Sequence, residues 1–493
     1  MKRIFLLSGL LAHALFFGQN KFLSQDYWKS HPTVETIKAD ISAGNSPSEF
    51  NDGLFDPVTL AINNNAPYET IIYLLSQDGN AVNKITHDGR IYLHWASFRN
   101  RTELVEYLIK AGSDLYAKDT GGRTPFDFGA LGGMTKATFE KYFNAGYPVK
   151  KLDNNGANVL MIAAARDNEK LETTEYLISK GLSVKDKDKF GRTIVDYATR
   201  AGNVKTVEAM VKKGYPYTDQ ALIMAAMGIR TTNSLPIFTY LIETLKINPN
   251  TTDKEGKNAL HYLAGKDNSE EQVAFLLSKK INTGKIDSEG ASPFLSAARN
   301  KNLKNITALL KSERNKNLIN TGNNLAQTPL MMAAQYSTPE MMEYLILNGA
   351  KTNVKDNKGN SLLYYITQSY SPRRKESIQH VAQKLAILKK NNFQFGTKNA
   401  DNNTLLHLVA EKNNIALMKL ALKFHQEINA KNSQGNTALM NSAMVATSEN
   451  IMKLLIEAGA NTQIENEFGE TAHALASENE ILQSKNINLS FLK

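Results

Sequence analysis

A glycine that returns on a fixed beat constrains this chain more than any other feature. It stands at Gly89, Gly122, Gly156, Gly191, Gly256, Gly290, Gly359, Gly435 and Gly469, and Ala326 and Asn402 fill the same slot in two further places. Successive gaps are mostly 33 to 36 residues. A gap of 65 between Gly191 and Gly256 fits two units with one turn eroded, and a gap of 43 between Gly359 and Asn402 implies an insertion. A second series (Gly112, Gly146, Gly181, Gly214, Gly349, Gly459) follows the first by 23 to 25 positions. Two interlocked series at one period describe a supersecondary unit copied along the chain. A unit this short cannot bury its apolar face without copies on both sides.

The stretch 324–359 shows the parts of one unit. Thr328 is placed to cap a helix and Pro329 to occupy its first turn. Leu330, Met331, Ala333 and Ala334 form a short first helix, with small residues where a neighbour packs closely. Met341, Met342, Tyr344, Leu345 and Ile346 have the apolar spacing of a second helix. Gly349 ends that helix in the left-handed region, which glycine enters at little cost. A polar turn over 352–359 precedes the next copy.

The repeated motifs carry a family likeness. TPLMMAA at 328–334 is echoed by YLHWAS at 92–97, TPFDFGA at 124–130, ALHYLA at 259–264, SPFLSAA at 292–298, TLLHLVA at 404–410 and TALMNSA at 437–443. YLILNGA at 344–350 and LLIEAGA at 454–460 close second helices. On these motifs the chain resembles an ankyrin-repeat protein. The resemblance implies an all-α solenoid of about 12–13 helix–turn–helix units with short β-turn fingers. The expected organisation is N-terminal capping helices at 20–53, a first block of repeats at 54–217 and a degenerate, lengthened repeat at 218–255. A second block follows at 256–476, with an insertion at 368–377, and then a C-terminal cap or tail at 477–493.

Residues 1–19 read as a secretory signal: Lys2-Arg3, then an apolar run from Ile4 to Phe17 too short for a comfortable membrane span. Export is therefore expected, with the periplasm the first destination and the extracellular space the second. Cysteine is absent, which removes disulfides, thiolate catalysis and cysteine-based metal sites. The formal charge of +10 becomes +8 without Lys2 and Arg3, a mild bias over so long a chain. No basic, aromatic-interleaved motif points to nucleic acid. No phosphate-binding loop, zinc motif or nucleophile elbow is present. His94, His261 and His407 share the fourth place of the T-P-L-H motif, where the resemblance implies hydrogen bonds to turn backbone. No catalytic, cofactor or metal residue is assigned.

What remains is a surface. The resemblance implies that proteins are recognised on a concave face built from turn tips and first helices. At its variable positions the N-terminal units carry arginines in excess of acids. The candidate contact residues are Arg90, Phe98, Arg99, Arg123, Arg166, Phe190, Arg192 and Arg200. A planar guanidinium grips carboxylates bidentately, so an acidic protein partner is expected. The expectation is a monomeric, non-catalytic protein-binding scaffold of the cell envelope. An exported inhibitor, immunity or stress-protective partner of a periplasmic enzyme is the alternative. A hydrolase with its site in an irregular repeat is the weakest reading.

Overall fold

Most helices here have five to nine residues, too short to persist alone in water, so each depends on its neighbours. The computed structural model describes residues 20–424 and 427–493, apart from the side chains of 313–316; the leader read at 1–19 lies outside the described residues. Two compact units divide the chain, one ending at Thr218 and the other beginning at Asp219. Among the described residues there are helices and turns but no strand, only an isolated bridge between Leu152 and Asn158.

The first unit opens with two short helices, Gln25–Lys29 and Val34–Ser42. Trp28 is fully buried in this cap, and its indole N–H donates to the Phe22 carbonyl at 2.8 Å. Five helix pairs follow: Pro57–Asn63 with Tyr68–Leu75, Tyr92–Phe98 with Thr102–Lys110, Pro125–Gly132 with Lys136–Asn144, Val159–Ala164 with Glu172–Ser179, and Ile194–Ala198 with Val204–Lys212. The second unit holds eight pairs. Its irregular opening pair joins Gln220–Met227 to Leu235–Thr239, which runs on through a π-turn at Tyr240–Thr244. The others begin at Ala259, Pro293, Pro329, Leu362, Leu405, Ala438 and Ala472. Within each unit, first helices pack on first helices and second on second.

Local chemistry sets the helix starts. The Thr59 amide donates to Asp56 at 2.8 Å, the Met161 amide to Asn158 at 3.1 Å, and the Met331 amide to Thr328 at 3.3 Å. The Thr338-Pro339 pair starts the second helix of that repeat in the same way. Packing then selects the residues between. Leu330, Met331, Met332, Ala333 and Ala334 are all buried, with both alanines at 0% exposure, so the neighbouring first helices approach across methyl groups.

At the insertion expected at 368–377, the added length falls partly in a loop and partly in a helix. Residues 372–376 are exposed, but the extra length also extends the following helix, Ser377–Lys390, to 14 residues. Val381, Leu385 and Leu388 recur at helical spacing and are buried, which explains the extension.

The turn glycines all take positive φ, as the periodicity requires, and one position shows why. At Gly435 φ is +73°, and an added Cβ would stand 2.7 Å from the backbone nitrogen of Glu467 in the next turn. Ala326 is forced into the same region at φ 56° with a side chain that disfavours it. Replacing Ala326 with Gly is therefore expected to stabilise the second unit by about 1 kcal/mol. Gly435→Ala is expected to destabilise it by about 2 kcal/mol, since strain and contact act together. Chemical denaturation followed by circular dichroism reads both signs.

Candidate binding surface

The turn tips are held by a side chain three residues before each glycine slot. Asp119 Oδ1 accepts from the amides of Gly121 and Arg123, both at 2.9 Å. Asp188 does the same for Phe190 and Arg192 at 2.9 Å, and Asp253 for Glu255 and Lys257 at 2.9 Å. Asn432 and Asn466 repeat the pattern with amide oxygens, between 2.9 and 3.0 Å. Turn-to-turn backbone bonds extend it: Thr120 N–H to the Asp88 carbonyl and Lys189 N–H to the Asn155 carbonyl, both at 2.9 Å.

Nine residues after that Asp or Asn, a side chain of the first helix fills the space behind the turn. Tyr197 and Tyr365 donate their hydroxyls to Asp188 and Asp356 at 2.9 and 2.6 Å, and Tyr262 donates to Asp253. Trp95 donates to Thr86 at 2.9 Å from the same register, and Phe128 lies there as well. In the second unit two members of this register are small. Ser296 stands in a cleft of about 630 Å³ with Tyr262, Arg299 and Met332 on its walls. Asn441 stands in a cleft of about 400 Å³.

The structure sorts the eight candidate residues. Arg90 is buried, ion-paired to Asp119 at 3.1 Å and Asp88 at 3.0 Å, and lies 4.3 Å over the Phe128 ring. Its guanidinium is built into the turn, which corrects the expectation of an outward contact. Arg123 chelates Asp119 through Nε at 3.1 Å and its terminal nitrogen at 3.0 Å, with its side chain 38% exposed. Arg192 meets Asp188 at 2.6 Å and covers Phe190 at 4.7 Å. Arg200 is brought near Arg123 and Arg192; burial first, then those two charges, lower its pKa, while Tyr197 opposes them. Arg99 and Arg166 are exposed at the ends of first helices, reaching back to Asn63 at 3.0 Å and the Leu131 carbonyl at 3.4 Å. Phe98 stacks on Phe128 at 4.6 Å.

The face is thus less positive than a count of its tips implies, because Asp119 and Asp188 sit beneath the arginines. Those two carboxylates were not among the tip positions weighed from sequence. Neither were Phe55, Trp95 and Phe128, which the fold assembles into one aromatic row: Phe55 lies 5.7 Å from Trp95, and Trp95 5.9 Å from Phe128. A signal for them existed, since both Trp95 and Phe128 follow the fourth motif position.

The motif histidines are turn ties. His94 Nδ1 accepts from the Ile91 amide at 3.2 Å, and its Nε2 donates to the Arg123 carbonyl at 3.1 Å, linking adjacent repeats. His261 and His407 bond likewise, to the Ala291 and Asn436 carbonyls at 3.1 and 2.9 Å. Among the described residues no three His, Asp or Glu side chains stand together as a metal site requires, and no helix is long and apolar enough to cross a membrane.

Comparison with known proteins adds an independent line. Family models described as ankyrin repeats match residues 126–221, 222–320 and 374–466, and further such models match 93–140 and 313–366. The chain is similar to a probable 26S proteasome regulatory subunit p28 of Saccharomyces cerevisiae, 30% identical over 132 residues, 26% of this chain and 57% of that protein. It is similar to the nuclear factor NF-kappa-B p105 subunit of Gallus gallus, 28% identical over 138 residues, 28% of this chain and 13% of that one. It is also similar to the phosphocholine transferase AnkX of Legionella pneumophila, 27% identical over 117 residues, 24% of this chain and 12% of that enzyme. In each case the match spans less than two thirds of the relative.

Burial lowers the His94 pKa from 6.5 to about 4. As pH falls, the unfolded chain therefore binds this proton first, and the His94 contribution is complete above pH 6.5 and lost between 6.5 and 4. That interval corresponds to about 3 kcal/mol. Asp196, whose carboxyl burial raises to about 6, acts with the opposite sign in the same range, so the two must be separated by mutation. The stability advantage of the native chain over His94→Gln is expected to shrink by about 3 kcal/mol from pH 7 to pH 4. Both tryptophans, Trp28 and Trp95, lie in the first unit, so urea unfolding followed by their fluorescence reports on it. A gap that does not change with pH would contradict the assignment.

Proposed function

The chain belongs to the ankyrin-repeat family, and from that premise we propose that it is a non-catalytic scaffold that recognises an acidic protein through the turn face of its first unit. The observation that carries this reading is the fixed arginine and aromatic face. Arg90, Arg123 and Arg192 are held by Asp119, Asp88 and Asp188 and stacked on rings, so little side-chain freedom is left to lose on binding. In this arrangement Arg90 and Arg192 position the face. Arg99 and Arg166, with the exposed edge of Arg123, offer guanidinium N–H groups to carboxylates. Phe98 supplies apolar area beside them.

An exported location, periplasmic first, is part of the proposal. It is supported by the basic and then apolar residues of 1–19 and by a chain without cysteine. A narrower form, as an inhibitor or protective partner of an envelope enzyme, fits the same surface. The enzymatic relative AnkX shares only a stretch equal to 12% of its own length with this chain, and the reading proposed here assigns no chemistry.

Affinity capture from an envelope extract tests the proposal, with the chain from residue 20 as bait beside an Arg99→Glu/Arg166→Glu bait. Both side chains are exposed, so the variant keeps its fold. The native bait is expected to retain an acidic protein at low salt, with capture falling at least about tenfold in the variant. Equal capture by both baits would remove the arginine face from the account.

A further inference from the structure

The cleft at Asn441 exists because one residue is small where its counterparts are large. Trp95, Phe128, Tyr197, Tyr365 and Leu408 occupy the same register, each nine residues after its turn residue, and all are buried. With an asparagine there instead, about 400 Å³ stays open between the turns at 401–403 and 432–434 and the helix Ala438–Val445. Asn441 is 6% exposed, lines this cleft, and its Oδ1 has no hydrogen-bond partner in the protein. A buried carbonyl oxygen without a donor is costly, so it marks a place where a donor from outside is accommodated.

The other lining groups define that donor. Asp401 and Glu411 stand exposed on the rim, and neither makes an ion pair among the described residues. No lysine or arginine lines the cleft. Of the neighbouring lysines, Lys412 donates to Gln368 at 2.9 Å while its charge still acts on Glu411, and Lys431 donates to the Glu465 carbonyl at 2.7 Å. Of the other lining amides, Asn432 Nδ2 donates to Asn403 Oδ1 at 3.0 Å, and Gln434 Oε1 accepts from Asn436 Nδ2 at 3.4 Å. Met444 and Val445, 43% and 39% exposed, form an apolar wall. Two carboxylates and one orphan carbonyl beside an apolar wall are complementary to a long cationic side chain. Its N–H groups would meet the acceptors while its methylenes lie on Met444 and Val445.

We propose that this cleft takes an arginine or lysine side chain of a partner polypeptide, with Asp401, Glu411 and Asn441 Oδ1 as its acceptors. Arginine is the better fit, because a flat guanidinium directs several donors at once and lies against an apolar wall. The inference rests on the reading of the turn face as a recognition surface. It concerns the second unit and a partner charge opposite to that expected of the first.

The test uses the full chain with 13C-methyl methionine and three peptides: acetyl-Gly-Arg-Gly-amide, its lysine analogue and its citrulline analogue, which keeps the shape of arginine without the charge. The arginine peptide is expected to shift the Met444 methyl signal saturably, at least tenfold more tightly than the citrulline peptide, with lysine between them. Asp401→Asn/Glu411→Gln is expected to lose at least tenfold in affinity. Asn441→Tyr should abolish the response without lowering the melting temperature, since tyrosine is the native residue of this register at 197, 262 and 365. A citrulline response equal to that of arginine, no response to any peptide, or full affinity in the neutralised variant would overturn the proposal. None of these outcomes depends on Arg99 or Arg166, so the failure of one reading leaves the other open to judgement.

Discussion

The interaction on which this architecture depends is a carboxylate or amide oxygen accepting two backbone amides at the base of most turns; at the first, Thr86 instead donates its hydroxyl to the Arg90 carbonyl at 2.6 Å. An exposed turn of five residues has several orphan N–H groups and no sheet to satisfy them. Asp119, Asp153, Asp188, Asp253, Asp287 and Asp356 solve this with one oxygen, taking amides two and four residues ahead. The second oxygen is then free for the first helix, where Tyr197, Tyr262 and Tyr365 find it. One side chain thus fixes the tip and ties it to the helix it precedes. The glycine three residues later admits the next tip at close range, as the short approach of Glu467 to Gly435 shows.

Function follows from what that frame leaves over. In the first unit the turn carboxylates also hold arginines, so the surface chemistry there is a set of braced guanidinium groups among rings. Asp119 is held ionised below the usual carboxylate range: burial opposes this, but the bonds and charges of Arg123 and Arg90 prevail. In the second unit the frame is the same, but only Asp253, Asp287 and Asp356 keep the acid while Asn323, Asn399, Asn432 and Asn466 take its place in other turns, and Ser296 and Asn441 open space behind the turns. The two units therefore present different chemistry on one scaffold plan, as expected of repeats whose frame is generic and whose exposed positions vary.

Much of this plan was legible in the sequence because it follows single-residue rules. A glycine every 33 to 36 residues, capping threonines and prolines, and paired alanines each have one physical meaning. The motif histidines were also readable, since their shared place in the T-P-L-H motif implies the turn-backbone bonds they make to the next repeat. Arg90 was not, because its burial depends on Asp119 and Phe128 a full repeat away. Nor was the lengthened helix at Ser377–Lys390, where apolar spacing and a run of exposed charge compete and packing against the neighbouring repeat decides. The clefts are visible only once the nine-residue register between turn and helix is known.

The measurement closest to the central claim is backbone amide exchange in Asp188→Ala and Asp188→Asn. Losing the acceptor should expose the Phe190 and Arg192 amides, which it binds at 2.9 Å, and raise their exchange rates at least about tenfold in the alanine variant. The asparagine variant should keep their protection, as Asn432 and Asn466 do in their own turns. Helix Val204–Lys212 should be unchanged in both. Unaltered exchange at Phe190 and Arg192 in the alanine variant would show that the turn stands without its side chain and would contradict the account.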